Sequence, residues 1–157
     1  MSFSREFDKT GHSLSAIQAR IFSRSAEEGV PTYGFIKVFM HSEHARKLDD
    51  LSFLYGVGSE EDIYERTKSK VKPKKRGVVY EEAVAHWIGY FYRAYCYLTM
   101  SSSKDAFHRI PPAFLMGVYE PYHTVDIAKA VQMVIQDRGI VFLTPKERIR
   151  EILAMTM

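Results

Sequence analysis

Apolar positions along this chain recur at helical spacing. Beyond Ser13, Leu14, Ile17, Ile21 and Phe22 fall three and four residues apart, which predicts an amphipathic helix stopped by Gly29-Val30-Pro31. Thr32 caps the apolar run 33–40, whose pattern fits helix or strand. It reads as helix because Ser42 follows as an N-cap and the segment to Leu48 keeps the 3.6-residue period. Residues 52–58 form a glycine-punctuated turn. Ser59-Glu60-Glu61-Asp62 then starts a helix towards Val71, with carboxylates at its positive end. After a long helix over about 79–100, Ser101-Ser102-Ser103 ends one element and caps a helical turn at 104–109. Pro111-Pro112 interrupts the chain before 113–116. Thr124 caps a helix over 125–135 that Gly139 closes. The apolar connector 140–143 leads to Thr144-Pro145-Lys146-Glu147, a capping box with proline at its first helical position, so a last helix covers 146–155. The expected class is all-α: a single compact domain of six to eight helices around a central aromatic one. It divides into a flexible N-terminus (1–12), the helical domain (13–139), and a connector and helix packed on it (140–157).

The central helix carries six aromatic rings and one arginine in the thirteen residues 86–98. Trp87, Phe91 and Tyr95 make one stripe, and Ile88, Tyr92 and Cys96 its neighbour. Two adjoining apolar stripes describe a helix mostly surrounded by protein. A third line, Glu82, His86, Gly89, Arg93 and Tyr97, drifts only about 60° around the axis. Here Glu82 can orient His86, Gly89 admits another backbone or a ligand, and Arg93 suits a carboxylate, a phosphate or an aromatic face. The plainer reading is a helix-packing glycine and a structural arginine paired with an acid.

Aromatics make up 13% of the 157 residues, nearly all Tyr and Phe, a composition that serves either a protein-contacting surface or a tyrosine-rich core. A net charge of +3 is too small for a uniform nucleic-acid binder. Six of the nine residues 68–76 are nevertheless basic: Lys68, Lys70, Lys72, Lys74, Lys75 and Arg76. This run either touches phosphates or forms a solvated tether around Pro73. The single Cys96 reads as a small buried hydrophobe. No apolar run approaches membrane-spanning length, and a cytoplasmic location is expected. A second candidate site is 119–126, read as a turn that leaves His123 just before a helix N-cap, where backbone N–H groups can hold an anion. Thr124 and Asp126 there most economically serve the cap. Phosphate-loop, zinc-protease, Cys-x-x-Cys and serine-hydrolase signatures are missing, His41 and His44 lack a third ligand, and Arg5 and His12 are wrongly spaced for a helical ribonuclease toxin. No catalytic residue, metal or cofactor is expected.

Several short motifs occur in a fixed order. Trp87-Ile88-Gly89-Tyr90-Phe91-Tyr92-Arg93 leads to Tyr97-Leu98-Thr99, then Ser102-Ser103-Lys104 and Tyr122-His123-Thr124-Val125-Asp126. Upstream stand Phe35-Ile36-Lys37, Met40 to Ala45, and Leu48-Asp49. Over roughly 33–130 the chain resembles a family of small bacterial helical proteins with an IGY-x-YR…Y-x-T…SSK…(Y/F)HT-x-D pattern. It departs from that family at Ala94-Tyr95-Cys96 and in the added C-terminal helix. The resemblance implies a gene beside an ADP-ribosyltransferase-like toxin, and hence an antitoxin or accessory protein that binds the toxin. On that reading Trp87, Tyr90, Arg93, Tyr97, His123 and Asp126 are the partner-binding residues. The alternatives are a nucleic-acid-binding regulator using 68–76, and a small enzyme or toxin built on His86, Arg93, His123 and Asp126.

Overall fold

A computed structural model of the chain describes residues 3–51, 58–72, 77–143 and 145–156. Among them are nine helices and no strand: α1 (Lys9–Glu27), α2 (Thr32–Met40), α3 (Glu43–Asp49), α4 (Glu60–Ser69), α5 (Glu82–Thr99), α6 (Ser103–Arg109), α7 (Pro112–Tyr122), α8 (Ile127–Arg138) and α9 (Pro145–Thr156). The all-α class holds, with one helix more than the upper expectation.

α5 is the axis. From Phe91 to Leu98 every residue is buried, as two adjoining apolar stripes require. Its main neighbour is α1, and α6, α7 and α8 cover its other sides. Gly89 sits at the α1 crossing. A Cβ there would lie 2.8 Å from the Gln18 carbonyl oxygen and 3.0 Å from Ala19 Cα, so the glycine sets how closely the two backbones approach. Phe22 of α1 meets Phe35 and Phe39 of α2 edge-on, at 6.0 and 5.2 Å, and ties the second layer to the first.

Several element ends fall as the sequence predicts. Ser42, Ser59 and Ser102 each accept a hydrogen bond from a first-turn amide, and Gly139 closes α8 at φ +62°. Others differ for identifiable reasons. α1 starts at Lys9 rather than Ser13, because the Asp8 carboxylate accepts from the Gly11 amide at 3.0 Å. The preceding residues dock on α5: the Ser4 amide donates to the Leu98 carbonyl at 3.0 Å, and Phe7 packs edge-on against Tyr90 and Tyr97. Residues 4–12 therefore adjoin the helical domain.

Thr32 does not cap α2. Its amide donates to the Val78 carbonyl at 3.0 Å, and its hydroxyl accepts from the Tyr80 amide at 2.8 Å. These two bonds hold 78–80 extended across the start of α2, so α5 begins at Glu82 rather than 79. α7 runs on to Tyr122, well past 116. The missing N–H of Pro121 costs only one bond near the end of the helix. α8 starts after Asp126, not Thr124. The turn expected at 52–57 lies outside the described residues. Among those residues, no helix is long and apolar enough to cross a membrane.

Candidate functional site

The polar line on α5 divides in two. Its inner part is the buried Arg93, only 1% exposed. The guanidinium is fully engaged: Nε donates to Gln18 Oε1 at 2.8 Å, Nη1 to Asp49 Oδ1 at 2.6 Å, and Nη2 to Ser103 Oγ at 2.7 Å. Asp49 in turn accepts from the Ser103 amide at 2.8 Å, and the Gln18 side-chain amide donates to the Gly89 carbonyl at 3.1 Å. One cation thus joins α1, α3, α5 and α6. Arg93 offers no group to a partner's surface, which corrects its place among the partner-binding residues. A buried charge keeps its protein acceptors, because replacing them would leave it unsolvated.

Tyr97 also turns inward. It is 6% exposed, its hydroxyl donates to Asp8 Oδ1 at 2.7 Å, and the Arg5 guanidinium lies 5.0 Å over its ring. It fastens the N-terminal segment to α5 and so is also corrected from a partner contact to an internal one.

The outer part of the line opens onto a shallow groove of about 680 Å³ between α5 and α7. It is lined by His86, Trp87 and Tyr90 from one helix and Tyr119 and His123 from the other. Tyr119 and His123 stack in parallel, with centroids 4.2 Å apart and planes 6° from coplanar. Trp87 meets Tyr119 edge-on at 5.8 Å. His123 Nδ1 lies 2.8 Å from the Tyr119 carbonyl oxygen. Since a carbonyl only accepts, that nitrogen is the donor. Tyr90 Oη is 2.5 Å from His12 Nδ1. Partial burial, then the charge of Asp126, raises the Tyr90 phenol above its ordinary value. Partial burial, then the charge of Arg20, lowers the His86 imidazole, against the opposing pull of Glu82. Glu82 itself accepts from Ser23 Oγ at 3.0 Å.

Three of the expected residues, Trp87, Tyr90 and His123, therefore share one groove, and Asp126 stands close enough to act on Tyr90. The anion reading of His123 does not survive. The residue terminates α7 at its carbonyl end, where the helix dipole is negative, and is three residues short of the α8 cap. Of the proposed His86, Arg93, His123 and Asp126 constellation, only His86 and His123 line this groove. The sequence places Tyr119 in a turn and His12 in a loose N-terminus, so neither is expected against these rings. The i, i+4 spacing of Tyr119 and His123 signals the stack once 119–122 is read as helix. Among the described residues, no group of three or more His, Cys, Asp or Glu is disposed to hold a metal ion.

The described part of the basic run divides. Lys68 Nζ is 2.8 Å from Glu28 Oε1, and Arg24 Nε donates to the other oxygen at 2.9 Å. Lys68 and Arg24 together hold the Glu28 carboxyl down at about 2. Lys70 and Lys72 line a separate groove beside α2. Lys74, Lys75 and Arg76 lie outside the described residues.

At the C-terminus, Arg109 Nη1 donates to the Val141 carbonyl at 3.1 Å, and Phe142 lies 6.3 Å from Tyr95, so the connector is anchored. α9 differs. The sequence predicts it packed on the domain, yet Ile149 is 58% exposed, Ile152 and Leu153 more than half, and Met155 86%. The chain matches no family model, no curated protein and no solved structure.

Proposed function

We propose that this chain is a non-enzymatic protein-binding module, the antitoxin or accessory component of a bacterial cassette that restrains an ADP-ribosyltransferase-type toxin in the cytoplasm. The observation that carries the binding reading is α9, whose apolar residues Ile149, Ile152, Leu153 and Met155 are largely exposed. Apolar side chains as exposed as Ile149 and Met155 are a liability for a monomer and an asset at an interface. The groove of Trp87, Tyr90, Tyr119 and His123 supplies rings of the type that dominate interface energetics. The class of the partner rests on the motif resemblance alone.

The test is a tagged pull-down of the full chain from its host at moderate salt, with mass spectrometry and the 260/280 nm absorbance ratio of the eluate. A stoichiometric ADP-ribosyltransferase-like protein, lost from Ile149→Asp/Met155→Asp at unchanged melting temperature, is the expected result. An eluate carrying nucleic acid and no protein partner overturns the reading.

A further inference from the structure

A second groove, of about 720 Å³, runs beside α2 and shares no residue with the imidazole groove or with α9. Its walls are mostly apolar, with Tyr33, Val38, Val78, Tyr80 and Met116 among them, and its remaining side chains include Lys37, Lys70, Lys72 and His41. Tyr33, Lys37 and His41 fall at i, i+4 and i+8, so the groove follows α2 for about 12 Å. The extended segment 77–80 closes its other side. Gly77 is pressed on Pro31, where a Cβ would come 2.4 Å from the proline ring, so that wall is held close by construction.

The charge pattern is one-sided. Among the described residues, no carboxylate lines the groove and none pairs with the ammonium of Lys37, Lys70 or Lys72. By contrast, along α1, Arg20 pairs with Glu60, and Arg24 with Glu28, Glu61 and Glu65. The same groove also receives the first turn of α2, which no side chain caps. The Thr32 amide is used by Val78, so the amides of Tyr33 and Gly34 remain as donors at the positive end of the helix.

We propose that this groove binds a small amphipathic anion: an apolar body laid along Val38 and Met116, and a carboxylate or phosphate head held by Lys37, Lys70, Lys72 and the α2 amides. Its volume falls in the range of small-molecule sites, and its extent is far below what a protein partner covers. Apolar walls select the body and unpaired cations select the head.

The test is calorimetric titration of the full chain with decanoate at concentrations where it stays monomeric. Decanol, decyltrimethylammonium and sedimented phosphatidylglycerol vesicles are run beside it. One saturable decanoate site is expected, weakened at least about tenfold in Lys37→Ala/Lys70→Ala/Lys72→Ala and by rising salt. Val38→Trp, which fills the groove, removes binding. The triple variant changes only exposed side chains, so its result does not depend on whether the tryptophan variant folds. Equal affinity for decanol, affinity unchanged in the triple variant, or binding to vesicles without binding to decanoate would each overturn the proposal.

Discussion

Arg93 Nη1 lies 2.6 Å from Asp49 Oδ1, in a site where the arginine is almost wholly buried. The pair is the centre of a network that satisfies every guanidinium nitrogen within the protein. Removing the cation leaves Asp49 with an uncompensated charge, at a cost of roughly 3–5 kcal/mol. Arg93→Ala is therefore expected to lower the melting temperature by about 10 °C or more, read by circular dichroism. Arg93→Lys is expected to fall well short of wild type, because one ammonium cannot replace three differently directed donors. An unchanged melting temperature in Arg93→Ala would return the residue to the list of partner contacts.

Gly89→Ala sets two effects against each other. Alanine favours a helix interior by about 1 kcal/mol over glycine. At this crossing, however, its methyl meets the backbone of α1 at 2.8–3.0 Å, which only movement of a helix can relieve. Overpacking of that kind costs roughly 1–3 kcal/mol. Net destabilisation in urea unfolding is expected; a more stable variant would show that α1 can slide.

His86 carries a pH signature. Its folded-state value is lowered from 6.5, chiefly by partial burial, so the unfolded chain takes up the proton first. The contribution of His86 to stability is complete above 6.5 and declines as pH falls below it. His86→Gln should flatten the stability profile on that acid side. In NMR the His86 ring should titrate below 6.5; a midpoint above 6.5 would show that Glu82 dominates its surroundings instead.

Cys96 is 3% exposed, and burial pushes its thiol up to about 12. Neither access nor ionisation favours attack. Ellman's reagent should leave the native protein unlabelled over hours and react stoichiometrically in urea. Rapid labelling of the native state would mean that α5 is locally open.

α5 was the most legible element, because aromatic and aliphatic residues at helical spacing leave strand no competing claim. Serine caps were equally plain, since Ser42, Ser59 and Ser102 each precede a run with the right period. Periodicity does not say which way a polar line faces, however. Gly89 marked the place where α1 crosses, and Arg93 one turn later had to enter the same interior, which only the packing reveals. Asp8 competed with Ser13 as a cap and won through Phe7 and Tyr97, partners distant in sequence or invisible to a local pattern. Thr32 has the composition of a cap but serves as a tie to Val78 and Tyr80, some 46 residues away. The α2 groove was hidden for the same reason: Lys37 and Tyr80 come to line it only after the chain returns.

The residues around the Arg93 guanidinium are contributed in the order Gln18, Asp49, Arg93 and Ser103. During synthesis on the ribosome, the first two wait without their cation until the later pair has cleared the exit tunnel. α1 likewise waits for α5, its chief neighbour, with only α2 and α4 to cover it in the meantime. A translation product that stops before Ser103 still has Gln18, Asp49 and Arg93 but lacks the third acceptor of the guanidinium.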